Sequence, residues 1–264
     1  MRTVVVQSFR RDNVPEWITR CMRSVASWAD ARGYHYEFVD DVLFDHVPAA
    51  LLDKPRNSLL PLTDIARLGL LRDRLAQRYE RALWIDADVV VFRPDTLAIP
   101  AQCGAMLCHE IWTHRNPDGQ VIHDRRVNNA VMIFERGHPL LDFLRYAAIE
   151  LYQHMDPETM PPATLGTGFL SNLGRLLPIR LFNQVACLSP LLVDALLTDT
   201  NHEQLKAHAS HYGHPFHAVN LCHSLQSSSK SEDSKQSTRD ASLLALVDRL
   251  IASRGSSLRF ATER

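Results

Sequence analysis

No run of this 264-residue sequence approaches the ~18 apolar residues that a membrane-spanning helix needs. The opening Val4-Val5-Val6 gives way to Gln7, Ser8, Phe9, Arg10 and Arg11, an apolar stretch too short for a signal peptide. Neither a transmembrane anchor nor a secretory leader is expected. An excess of one charge is missing too: 29 basic against 30 acidic residues leave a formal net charge of −1. No basic field exists to hold a nucleic-acid backbone, so nucleic acid is not an expected partner, although single phosphates could still be bound. The five cysteines (Cys21, Cys103, Cys108, Cys187, Cys222) are odd in number and contain no C-x-x-C. They read as reduced, buried thiols of a cytoplasmic protein rather than as a disulfide framework. At 45% hydrophobic and 22% charged residues, the composition excludes a disordered chain, a collagen and a coiled coil.

What is present is an alternation of β-branched runs and helical periodicity. Thr3–Ser8 reads as a buried first strand. After Pro15, the residues Trp17, Cys21, Val25 and Trp28 recur at helical spacing; Gly33 stops that helix, and residues 34–39 form a second strand. Strand, helix and strand in quick succession open a parallel α/β sheet. Thr63 is expected to cap a helix running to about Tyr79 and burying Ile65, Leu68, Leu71 and Leu75. Further strands are expected at 82–85, 89–92, 105–108, 130–134 and 218–222, with a helix over 140–152. Residues 224–240 are Ser-rich and charged and read as an exposed or mobile segment, followed by a helix over 241–251. The expected architecture is α/β, a single Rossmann-like, mostly parallel sheet flanked by helices. Residues 1–225 would form the functional domain and 226–264 a Ser-rich segment with a terminal helix.

The signal that carries chemistry is Leu83-Trp84-Ile85-Asp86-Ala87-Asp88-Val89-Val90-Val91. Its apolar flanks place both aspartates where a buried strand reaches the sheet edge, and open α/β sheets bind ligands at that edge. Within a strand the two carboxylates would face opposite ways. A turn at Ala87 would instead converge them on one divalent cation, Mg²⁺ or Mn²⁺, bridging to a diphosphate. Aspartates in so apolar a run are costly unless paired or bound to metal; the plain alternative is a pair of turn aspartates. Upstream, Thr63-Asp64-Ile65-Ala66-Arg67 puts Asp64 and Arg67 on one face near a helix start. Alone, that pair reads as a capping Asp and a surface Arg. Downstream come Asn128-Asn129-Ala130-Val131-Met132-Ile133-Phe134 with Gly137-His138-Pro139, then Gly166-Thr167-Gly168, then Val219-Asn220-Leu221-Cys222-His223.

In this order the motifs resemble glycosyltransferases of the GT-A fold. They resemble especially the retaining group with a D-x-D sugar-binding region, typified by yeast-type mannosyltransferases and clostridial glucosylating toxins. The resemblance spans about residues 1–225 by motif order. Phe169 stands where that family often has Pro, Arg78-Tyr79-Glu80-Arg81 replaces its paired Gly, and the Trp that often follows the late His is absent. The resemblance implies a metal-dependent transferase moving a hexose from a UDP- or GDP-sugar to a glycan, lipid or protein acceptor, with peripheral membrane contact allowed. It implies Asp86, Asp88 and His223 as ligands of Mn²⁺ or Mg²⁺, with Asp86 contacting ribose or a metal-bound water. Asp64 and Arg67 would hold donor-sugar hydroxyls and phosphate, and Gln7, Ser8, Phe9 and Asp40 would surround the base. Asn129 would position the donor sugar or the acceptor hydroxyl. Retention of configuration is implied as well. It agrees with Asn128-Asn129 and Gly166-Thr167-Gly168 offering amides and a hydroxyl but no carboxylate, while Asp124 and Glu135 flank them as candidate bases.

Other classes compete. A haloacid-dehalogenase-like phosphatase also places D-x-D after an apolar strand, but it needs a downstream Lys and a late acidic pair; only Lys206 and Glu232-Asp233 offer them. A sugar-nucleotide pyrophosphorylase would carry a Gly-rich loop where Gln7-Ser8-Phe9-Arg10-Arg11 stand. A domain that binds nucleotide-sugar or glycan without turnover is the non-enzymatic alternative. His208, His211, His214 and His217 recur every third residue, but Gly213 and Pro215 interrupt them. A loop with no His pair on a common face is expected, a lid over the diphosphate being its functional version. His109, His114 and His123 are assigned to a loop between strands.

Overall fold

The computed structural model describes residues 1–54, 56–213, 215–226 and 233–258. β1 (Thr3–Ser8), α1 (Glu16–Ala31) and β2 (His35–Val39) form the expected opening, followed by a 3-10 turn over Asp41–His46 and the short α2 (Ala49–Leu52). α3 (Leu60–Gln77) leads into β3 (Arg81–Ile85) and β4 (Val89–Val91), and β5 (Ala105–Arg115) and β6 (Val121–Glu135) make a long hairpin. Then come α4 (Pro139–His154), a π-turn over Thr164–Gly168, α5 (Phe169–Leu176), β7 (Leu181–Phe182) and β8 (Val185–Cys187). α6 (Pro190–Thr198), α7 (His202–Tyr212), β9 (Ala218–Asn220), α8 (His223–Gln226) and α9 (Asp233–Ala252) follow.

The main sheet has six strands in the order β2-β1-β3-β6-β5-β7. β1–β2, β1–β3 and β5–β7 pair in parallel, while β6 is antiparallel to both neighbours. β3 is buried along its whole length and β1 from Thr3 to Gln7, because helices cover both faces; hence their nearly continuous apolar sequences. α1 buries Trp17, Cys21, Val25 and Trp28, and Gly33 ends it with φ +68°. α3 starts a turn before Thr63, with Pro61 in its first turn. Thr63 is therefore inside the helix, its Oγ1 donating back to the Leu59 carbonyl at 3.1 Å. All five cysteines are free. Among the described residues no helix is long and apolar enough to cross a membrane.

Three features extend the architecture read from the sequence. A second sheet, β4-β9-β8, lies beside the first. β4 leaves the main sheet through a turn closed by the Val89 N–H donating to the Asp86 carbonyl at 3.1 Å. Second, the strands expected at 105–108 and 130–134 run on through a bulge. Pairing jumps from Leu107↔Met132 to Cys108↔Asn128, leaving Asn129, Ala130 and Val131 without a partner on β5. His109, His114 and His123 therefore lie on strands rather than in a loop. Third, residues 233–240 belong to α9, whose Leu243, Leu246, Val247 and Leu250 share a core with Trp17 and Ile18 of α1 and Leu192 and Val193 of α6. The Trp17 indole also donates to Asp240 at 3.0 Å. The Ser-rich residues 227–232 lie outside the described residues.

Candidate active site

Asp86 ends the main sheet and Asp88 precedes the second one, so the D-x-D turn is the joint between them. The joint is held from several sides. The Asp86 N–H donates to the Ala130 carbonyl at 2.8 Å, and the buried Gln7 amide donates to the Asp86 carbonyl at 3.0 Å. Register Val89↔Asn220 brings β9 alongside, so the Asn220 amide donates to Asp88 Oδ1 at 2.9 Å.

On the facing helix, Asp64 and Arg67 are 7% and 6% exposed; the surface-Arg alternative does not hold. Arg67 sits over the Trp84 ring, 4.8 Å from its centroid. It donates to Asp86 Oδ1 at 3.0 Å and to the Asn129 carbonyl at 3.2 Å, and pairs with Asp64 at 3.3 Å. The Trp84 indole donates to the same Asp86 oxygen at 2.6 Å. Asn129, in the bulge, donates its amide to Asp64 Oδ1 at 2.8 Å. Gly166 closes over this pair. A Cβ there would stand 2.8 Å from Asn129 Nδ2 and 2.9 Å from Asp64 Oδ2, so the close approach requires glycine. Burial pushes the Asp64 carboxyl up to about 6, against the lowering pull of Arg67, with Asp86 raising it further and the Asn129 amide lowering it. Burial, then the charge of Asp86, pushes Asp88 up as well.

Asp64, Arg67, Asp86, Asp88 and Asn129 thus line one cleft of about 220 Å³. Gln7, Ser8, Phe9 and Asp40 stand at the C-terminal ends of β1 and β2, on the same sheet edge but outside the walls of that cleft. Gln7 is committed to the turn and to the Tyr36 hydroxyl, which donates to it at 3.1 Å; Asp40 caps the 3-10 turn and pairs with Arg11.

His223 meets Asp88 through its backbone. Its backbone N–H donates to Asp88 at 2.6 Å, and the imidazole packs against Phe9 and Trp17 at centroid distances of 5.5 and 5.6 Å. The chain turns into α8 at this residue, which aims the N–H at the carboxylate and the side chain into the apolar layer. Among the described residues no three His, Cys, Asp or Glu side chains gather as a metal site. Asp86 and Asp88 still fit a hard cation: both carboxylates are partly buried and line the same cleft, and Asp88 has no ion pair among the described residues.

The sequence reading also missed part of the wall. Glu110 and Trp112 on β5 and Arg126 on β6 line the cleft beside Asn128. Glu110 is 2% exposed, and burial raises its carboxyl, with the Asn128 amide and Arg126 opposing. The alternation Cys108, Glu110, Trp112 on one face would have shown it had β5 been followed past Cys108. This wall of the cleft therefore does hold a carboxylate, Glu110. The flanking candidates are occupied elsewhere: Asp124 pairs with His114 and Arg126 at 2.9 and 3.1 Å, and Glu135 with Arg81 at 2.7 Å. His208 and His211 share a face of α7, a helix where a loop was expected. Thr113 Oγ1 lies 3.0 Å from His208 and 2.8 Å from His123, whose ring packs on His211 at 4.5 Å.

No protein-family model matches the sequence, and no curated protein matches it. Solved structures do resemble it. A glycosyltransferase involved in glycosylation of the major capsid of PBCV-1 is 12% identical, with a TM-score of 0.47 over 92% of this chain and 98% of that one. Mouse xyloside xylosyltransferase 1 is 13% identical, with a TM-score of 0.41 over 85% and 98%. The glycosyltransferase GlyE of Streptococcus pneumoniae TIGR4 is 11% identical, with a TM-score of 0.44 over 96% of this chain and 64% of that one.

Proposed function

We propose that the chain is a glycosyltransferase of the GT-A type that takes a hexose from a nucleotide diphosphate sugar. The observation that carries this reading is the array Asp64–Arg67–Asp86 with Asn129, joined by ion pairs and a hydrogen bond beside Asp88 in one cleft at the C-terminal edge of parallel strands. Asp64 and Asn129 offer an acceptor and a donor for sugar hydroxyls, and the Trp84-backed Arg67 adds positive charge where phosphates would lie. Gln7, Ser8, Phe9 and Asp40, on the same edge, fall on the nucleotide side. In the reaction, the bond from the anomeric carbon to the diphosphate breaks with its electron pair going to the diphosphate. An acceptor hydroxyl oxygen bonds that carbon and releases its proton to the leaving diphosphate. Mn²⁺ or Mg²⁺ at Asp86 and Asp88 would supply Lewis-acid stabilisation of the leaving group. Retention of configuration is carried over from the sequence resemblance. The phosphatase alternative loses its Lys: Lys206 is exposed on α7 and paired with Glu203 at 3.1 Å.

The test is incubation with UDP- and GDP-hexoses and Mn²⁺ or Mg²⁺, following nucleoside diphosphate release and thermal stabilisation. Release that needs the cation and disappears in Asp88→Asn is expected. No stabilisation by any UDP or GDP compound would refute the reading.

A further inference from the structure

The cleft has a second wall, formed by one face of the β5–β6 hairpin. Register Glu110↔Arg126 and Cys108↔Asn128 sets Glu110, Trp112, Arg126 and Asn128 side by side on it. We propose that this face is the acceptor subsite and that the acceptor is a saccharide; the proposal rests on reading the cleft as a glycosyltransferase site. Trp112 is half-buried, and the Arg126 guanidinium lies 5.5 Å from its ring centroid while Asp124 anchors that Arg at 3.1 Å. An indole lining a cleft is an amphipathic platform of the kind that takes the C–H face of a pyranose. Glu110 lies two residues away on the same strand face. Its Oε2 accepts the Asn128 amide at 3.2 Å, and it has no ion pair among the described residues. A buried carboxylate facing a ligand cleft with an amide as its donor is under-satisfied, and the hydroxyls of a polyol would complete it. A long alkyl chain would find carboxylates, amides and a guanidinium on this wall, which disfavours it.

The four tryptophans make the test direct, since Trp112 is the only one of them not buried. In ¹⁵N-tryptophan-labelled protein with Mg²⁺, UDP and GDP are added first, then disaccharides of glucose, galactose, mannose and xylose. The Trp112 indole signal, assigned by its loss in Trp112→Phe, is expected to shift with at least one disaccharide. Glu110→Gln, which keeps the shape, is expected to weaken that affinity about tenfold or more. If neither nucleotide binds, the transferase reading fails and this subsite with it. If a nucleotide binds but no disaccharide moves the Trp112 signal, the subsite alone is refuted. It is equally refuted if a short Ser/Thr peptide or dodecyl phosphate moves that signal and sugars do not, or if Glu110→Gln binds the sugar as wild type does.

Discussion

The Arg67 guanidinium lies between two carboxylates, 3.0 Å from Asp86 and 3.3 Å from Asp64, and its own side chain is 8% exposed. Removing it strands charge in a buried place, a change that costs about 3–5 kcal/mol in comparable sites. Arg67→Ala is therefore expected to lose about 3 kcal/mol in urea denaturation. Asp64→Asn in the same chain should return at least about 1 kcal/mol, since one stranded charge is gone. A double variant no more stable than Arg67→Ala would mean that Arg67 acts by packing on Trp84 instead. Gly166→Ala probes the same array from above, because its methyl would displace the Asn129 amide from Asp64. Transfer should fall about tenfold or more with the loss of that positioning bond, while the melting temperature drops only a few degrees. At this scale Asp86 and Asp88 stood out in the sequence because charges inside an apolar run are conspicuous, whereas Asp64 and Arg67, which alone read as a capping Asp and a surface Arg, stood out only by their place in the motif order. At His223 the contact with Asp88 that the structure shows is made by the backbone N–H, which a string of letters cannot display.

Between β5, β6 and α7, Thr113 Oγ1 bridges the Nδ1 atoms of His123 and His208. His208 is 1% exposed, and its buried Nε2 has no hydrogen-bond partner among the described residues. Burial, then His123 and His211, hold its pKa down to about 3. The folded state keeps this ring neutral while the unfolded chain protonates near the ordinary value of about 6.5. The unfolded state thus binds more protons between those two values, and stability falls as the pH drops through that window. His208 alone accounts for roughly 3 kcal/mol at pH 4. Hydrogen exchange, corrected for intrinsic rate, should show α7 losing protection from pH 6.5 to 4.5, and His208→Gln should flatten that dependence. An equally steep loss in His208→Gln would place the acid sensitivity elsewhere. Gly213 and Pro215 suggested a broken helix because they were taken as interior. Gly213, at φ +70°, follows the last residue of α7 and caps it. The hairpin was hidden for a related reason: the bulge at Leu107/Cys108 interrupts the alternation where two strands seemed to end.

At the scale of the molecule, the two sheets meet at Asp86-Ala87-Asp88, and the cleft takes one wall from the α3 side and another from the long hairpin. Apolar runs made the parallel opening legible; the second sheet was not, because β4, β8 and β9 are three residues each and owe their pairing to contacts between distant segments. A cation bound at the joint should stabilise both sheets together. Mn²⁺ with UDP is expected to raise the melting temperature of the wild type and not of Asp88→Asn, since binding to the native state alone adds stability. The stereochemical outcome then turns on Glu110. With retention, the leaving diphosphate takes the acceptor's proton, so Glu110 only binds hydroxyls, and Glu110→Gln raises the acceptor KM while kcat falls less than about tenfold. With inversion, a carboxylate on the acceptor side removes that proton. Loss of such a base costs about 10²–10⁴-fold in kcat and erases the acidic limb of the pH profile. An α-linked product from an α-linked donor, seen by the anomeric proton in NMR, together with a KM-dominated Glu110→Gln defect, is the expected result. A β-linked product with a kcat-dominated defect would overturn retention and make Glu110 the base.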